Sequence, residues 1–163
     1  MLGQASLVPG SQVMRAQLLL YRAEGNFSSS SGYGEIRNIL FIEPGDVAAR
    51  WLLQDNNHVI SESPDLMASE DDPKAKRTLA TAVLVKPTSN DPEVSAGRLL
   101  LFDPPGRKVM EIANGVRKLH VASYTTGEIT LLYERDRRLV LVQVDPTSFT
   151  KRKEQEVDVP QLK

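Results

Sequence analysis

A chain of 163 residues, 40% hydrophobic and 25% charged, has the size and composition of one folded domain rather than of a disordered tail. Its formal charge of −1 divides into 8 Lys and Arg against 12 Asp and Glu over residues 1–96, and 12 against 9 over residues 97–163, a bias too mild for a nucleic-acid binder. The absence of cysteine excludes disulfides, thiolate zinc sites and a cysteine nucleophile.

Residues 1–12 read as a linker, with no basic and apolar leader. An export or lipid-anchor segment upstream would make the protein periplasmic or envelope-associated; otherwise it is cytoplasmic. No apolar run approaches the ~18 residues needed to span a bilayer. The remainder, 13–163, is expected as a single all-β domain. Val13–Arg22 is the first strand, and Gly25–Gly34 is an aperiodic Gly/Ser loop. Ile39–Ile42 and Ala48–Leu53 form a hairpin around Glu43-Pro44-Gly45-Asp46, because proline presets the first turn corner and glycine accepts positive φ. Val47, Ala48, Trp51 and Leu52 also fit a short helix; a strand is preferred because two later segments have one at the same place. Val59-Ile60 closes the group. The acidic stretch Ser61–Lys74 reads as a long loop or disordered insertion.

Thr78–Lys86 opens a second group, followed by a polar loop over Pro87–Gly97. Leu99–Phe102 and Lys108–Ile112 pair around Asp103-Pro104-Pro105-Gly106. A third group holds four strands, Leu119–Tyr124, Ile129–Glu134, Leu139–Val144 and Phe149–Val157, joined by short turns as a meander. The middle strands are apolar at every position, which implies burial on both faces. The last is heavily charged, the usual protection of an exposed edge.

Three times an apolar strand ends in an acid and a proline: at Glu43-Pro44, Asp103-Pro104 and Asp145-Pro146. The prolines lie 60 and 42 residues apart, against ~40–50 for propeller blades. Over residues 39–54, 99–113 and 118–157 the chain resembles bacterial β-propeller proteins. The resemblance implies antiparallel meanders like about three blades, in units of about 13–60, 78–113 and 118–157. It departs from that family in number, since propellers close with ~4–8 blades. Three units must instead pack as a sandwich or partial barrel, pair with a second copy into a ring, or be covered by a partner.

Catalytic motifs are missing: there is no Gly-x-Ser-x-Gly, phosphate loop, His-Glu-x-x-His or dinucleotide fingerprint. The two histidines, His58 and His120, fall in different units, and His120 reads as a strand residue. The most concentrated polar cluster is Gln54-Asp55-Asn56-Asn57-His58, directly after Trp51. Asp55 and Asn57 suit a cation, and Trp51 suits stacking on a sugar; the same residues also make an ordinary tight turn. The acidic stretch lacks the spacing of a calcium loop. The basic residues Arg135, Arg137, Arg138 and Lys151–Lys153 are not interleaved with aromatics and read as solvated turns and edges.

The sequence therefore implies a non-enzymatic binding or scaffold module with no metal or cofactor. Its partner would be another protein or a second copy, and its setting a bacterial envelope. The alternative is a small-ligand or carbohydrate site, or a weak enzyme, built on Trp51, Asp55, Asn57 and His58.

Overall fold

The computed structural model describes residues 1–21, 34–45, 49–68, 76–88 and 95–160, and every regular element among them is a strand. In chain order these are Ser6–Leu7 (β1), Met14–Leu20 (β2), Glu35–Ile42 (β3), Arg50–Trp51 (β4), His58–Glu62 (β5), Asp65–Ala68 (β6), Arg77–Pro87 (β7), Gly97–Phe102 (β8), Val109–Thr125 (β9), Glu128–Arg135 (β10), Arg138–Val144 (β11) and Lys151–Val157 (β12). They join in one antiparallel sheet in the order β1-β2-β3-β5-β7-β8-β9-β10-β11-β12, with β4 on β3 and β6 on β7. The sheet is not closed into a barrel; β1 and β12 lie at opposite ends of the order.

Strands such as β10 and β11 alternate, as an antiparallel sheet with one wet face requires. Two are instead buried on both faces along most of their length. From Ala80 to Lys86 every residue of β7 is buried, and in β8 only Arg98 is partly exposed. The odd-even division shows why. Ala80, Ala82 and Leu84 join Leu99 and Leu101 in a core completed by β9, β10 and β11, with Ile112, Leu119, Leu131, Tyr133 and Val142. Val83 and Val85 join Leu100 and Phe102 in a second core completed by Val8, Ile39, Phe41, Leu53 and Ile60. The sheet thus curls one way over one face of β7–β8 and the other way over the opposite face. Gly97 fits this tight layer because a Cβ there would lie 2.1 Å from the carbonyl oxygen of Val85.

The all-β expectation stands, and the strands of the three groups are hydrogen-bonded into one sheet. Several local expectations are corrected. Continuous burial on both faces belongs to the middle group: β3 is buried on both faces only over Arg37–Ile39, and Leu40, Ile42, Leu141 and Gln143 are only partly buried. Residues 1–12, expected as a linker, contribute β1, and Val8 is 1% exposed in the second core. Part of the acidic stretch expected as a loop is strand, because Leu66 and Ala68 alternate inward with period two; residues 69–75 lie outside the described residues. So do residues 25–33 of the expected Gly/Ser loop, 46–48 of the expected first hairpin and 89–94 of the polar loop. The strands expected at Lys108–Ile112 and Leu119–Tyr124 are one strand, β9, continuous through Gly115 at φ +71°. Phe149, expected to begin the last strand, sits in the preceding turn at φ 53° and is buried against the first core. The charged edge strand is as expected: Lys151–Glu156 is exposed at every position and pairs only with β11.

The acid-proline turns touch one another. Glu43 is gripped by Arg107 of the second turn (Nε to Oε2, 3.1 Å) and by Arg50 (3.2 Å), which also donates to the carbonyl of Pro105 at 2.8 Å. Gly106, at φ +66°, lies against the Phe41 ring so closely that a Cβ would approach it to 2.5 Å. Phe41 in turn meets Phe102 edge-on at 5.4 Å. Lys108 reaches the carbonyl of Thr147 in the third turn at 3.4 Å. Asp103 caps its own turn by accepting from the amides of Arg107 and Lys108, and Asp145 does the same for Thr147 and Ser148.

The hydrogen bonds from Arg107, with Arg50 beside it, pull the Glu43 carboxyl from 4.5 down to about 2. A depressed folded-state pKa adds stability above pH 4.5 and loses it as the pH falls from there towards 2. Glu43→Gln should therefore flatten the fall of Tm across that window, measured by thermal melts. Identical acid slopes in the two proteins would contradict the clamp.

Candidate functional site

Where the N-terminal strands stop short of β9, the margin of the second core stays open. Leu100 and Glu111 are paired across β8 and β9 and share a face with Arg98 and Val109. Opposite them runs the chain from Leu52 to His58. Together they bound an open cleft of about 410 Å³, with Leu52, Leu53, Leu100 and Val109 as its apolar lining and Gln54, Asp55, His58, Arg98 and Glu111 as its polar groups.

A buried asparagine holds this wall. Asn38, 1% exposed, accepts at Oδ1 from the amides of Ile39 and Leu53, both at 2.9 Å, and donates from Nδ2 to the Leu53 carbonyl and to Asn56 Oδ1. Its side chain replaces a missing rung between β3 and the segment after β4, so the backbone groups of Leu53 are satisfied without strand pairing. Asp55 then accepts from the Asn57 amide at 2.9 Å and lies 3.1 Å from His58 Nδ1. The Asn57 amide, followed by the charge and hydrogen bond of His58, holds the Asp55 carboxyl below its ordinary range. An ionised carboxylate can only accept, so the imidazole keeps its proton on Nδ1 and turns Nε2 away from Asp55.

The sequence-derived residues therefore separate. Asp55 and His58 meet in the cleft. Asn57 contributes its amide to the Asp55 turn and does not line the cleft. Trp51 is opposite Leu40 in β4, 46% exposed, and also outside the lining. Sequence reasoning missed Arg98 and Glu111, which come from another part of the chain. The only trace was one charge beside the apolar run Leu99–Phe102 and another within Val109–Ala113. It also missed Asn38, a polar residue directly before the apolar run Ile39–Ile42.

Chemically the cleft offers an Asp–His pair, a guanidinium and a second carboxylate, but no Ser, Thr or Cys among its lining residues to serve as a nucleophile. Among the described residues no three His, Asp or Glu side chains gather closely enough to share a metal ion. Nor is any helix among them long and apolar enough to cross a membrane. No family model, curated protein or solved structure matches the chain, so its residues must carry the functional reading.

Replacing Asn38 tests the support of this wall. Asn38→Ala and the near-isosteric Asn38→Leu both strand buried amides and should cost roughly 2–4 kcal/mol in urea unfolding, at about 1–3 kcal/mol for each buried group left unpaired. A loss below about 1 kcal/mol for both would mean that Asn38 merely fills space.

Proposed function

We infer that the protein is a non-enzymatic binding module that docks a protein partner on the outer face of β1–β4. One observation carries this reading. The register Leu7↔Met14↔Ile42 and Ala16↔Leu40↔Trp51 puts six apolar residues on one sheet face, opposite Phe41 and the second core, with Ala16 buried beneath its neighbours and Leu40 and Ile42 partly exposed. Leu7, Met14 and Trp51 are 63%, 37% and 46% exposed. Single exposed apolar side chains are ordinary, but a contiguous row crossing four strands is the mark of an interaction surface. A tryptophan within it suits the role of anchor, because aromatic residues dominate binding energy at protein interfaces.

Blade-like hairpins belong to the same reading. The contacts between the acid-proline turns support a rigid end to the module, and the sheet's two open ends leave room for a covering partner. An envelope setting is part of this proposal and rests on the resemblance alone. The competing reading is a small polar ligand in the cleft. It gains from the convergence of Arg98 and Glu111 on Asp55 and His58, whereas sugar stacking loses its platform because Trp51 lies outside the cleft.

A photoreactive residue replacing Leu7 in the source cells separates these readings, with Val121, another exposed apolar position on a different strand, as control. The docking reading predicts one discrete adduct from position 7, none from position 121, and loss of the adduct on Trp51→Ala. An adduct of twice the chain mass would make the partner a second copy. No adduct from position 7, or the same adducts from both positions, would overturn docking on this face and leave the cleft as the better reading.

A further inference from the structure

The cleft beside the second core differs from other recesses of the molecule in what its polar groups leave undone. Elsewhere charged side chains answer one another, as Arg15 does with Asp65 and Thr81, or Arg117 and His120 with Glu134. In the cleft Asp55 is engaged by the Asn57 amide and by His58. Among the described residues, however, the side chains of Gln54, Arg98 and Glu111 make no hydrogen bond or ion pair. Glu111 is paired with Leu100, and Arg98 shares a face of β8 with Leu100, so opposite charges stand on neighbouring strands without joining. A free guanidinium and a free carboxylate beside an apolar lining are what a ligand carrying both signs would meet.

The charges select the ligand. Asp55 and Glu111 oppose a simple anion, and Arg98 opposes a simple cation, whereas a zwitterion satisfies all three. A guanidinium takes a carboxylate through two parallel bonds. Ionised carboxylates only accept, as does His58 Nε2 while the proton sits on Nδ1, so the Asp55–His58–Glu111 side suits an ammonium group. Leu52 and Val109, the latter 47% exposed, leave apolar surface in the same cleft for a hydrocarbon side chain to cover. Its volume of about 410 Å³ lies within the ~300–1,000 Å³ of small-molecule sites.

We propose that this cleft binds a free α-amino acid with an apolar side chain. Arg98 takes its carboxylate, Glu111 and the Asp55–His58 pair take its ammonium, and Leu52, Leu100 and Val109 cover its side chain. The Asn38 hydrogen bonds to Leu53 and Asn56 hold one wall in place before the ligand arrives, which lowers the ordering cost of binding. The cleft shares no residue with the docking face of β1–β4, so it adds a small ligand to the module and either reading can fail alone.

L-Leucine is the direct probe, followed by backbone amide shifts of the isolated protein at constant pH and ionic strength. Saturable shifts are expected at Leu52–His58, Arg98–Leu100 and Val109–Glu111. Isocaproate lacks the ammonium, isoamylamine lacks the carboxylate, and glycine lacks the side chain. Each should bind at least about tenfold more weakly, the scale of one charge-assisted contact or a buried hydrocarbon group. Arg98→Gln and Glu111→Gln should each weaken L-leucine about tenfold, and neither removes a partner that the fold uses. Arg98→Gln should also erase the preference for L-leucine over isoamylamine. Lys153→Gln, exposed on β12, should change nothing. Shifts that grow linearly with L-leucine, that appear equally with glycine or isocaproate, or that survive both cleft substitutions would overturn the proposal.

Discussion

Everything in this fold depends on one pair of strands having no outer face. In most antiparallel sheets a strand spends half its side chains on water. Here β7 and β8 each give alternate residues to the two cores, so each half of the protein is built on the back of the other. Val83 and Leu84 are adjacent in sequence and belong to different cores, both at 0% exposure. This arrangement explains how a single open sheet of 163 residues hides its apolar surface without closing into a barrel. It also explains the intolerance at Gly97, where the backbone of β7 leaves no space for a side chain.

A sheet that curls in two directions must break its ladder, and short polar side chains close the gaps. Asn38 replaces a missing rung beside Leu53. Asp55, Asp103 and Asp145 each accept backbone amides in the turns that reverse the chain. Glu43 acts between turns rather than within one, since the guanidinium groups it holds come from residues 50 and 107. The acid-proline sequences thus have two jobs. The aspartates cap their own turns, and the glutamate ties the first turn to the second.

Much of this was legible in the sequence, for physical reasons that differ from strand to strand. Leu99–Phe102 suggested double burial because four consecutive apolar residues offer no polar side for water. Thr78–Lys86 announced itself by the same means. Leu139–Val144 looked equally apolar, yet Leu141 is only half-buried; a polar-to-apolar count cannot distinguish a wet leucine from a dry one. β6 was hidden because its two inward residues, Leu66 and Ala68, sit within an acidic stretch whose charges suggested a loop. The continuity of β9 was hidden by Asn114-Gly115, which reads as a turn and serves as a bend. At the cleft, Asp55 and His58 were legible as neighbours in the chain, whereas Arg98 and Glu111 were not, because only the pairing of β8 with β9 and the curl of the sheet bring them near.

The apolar face lies on the outer side of β1–β4 and the cleft between the segment after β4 and the start of β8–β9, both built on the second core. Their geometry is therefore only as firm as the shared strands. Native-state hydrogen exchange tests that claim most directly. If β7 and β8 are common to both cores, the amides of Ala80–Val85 and Leu99–Phe102 should be the slowest in the protein. They should exchange only through global unfolding, in one cooperative transition that both halves share. Two separate transitions, with the N-terminal strands and β9–β12 each retaining protection while β7 and β8 exchange, would contradict the account.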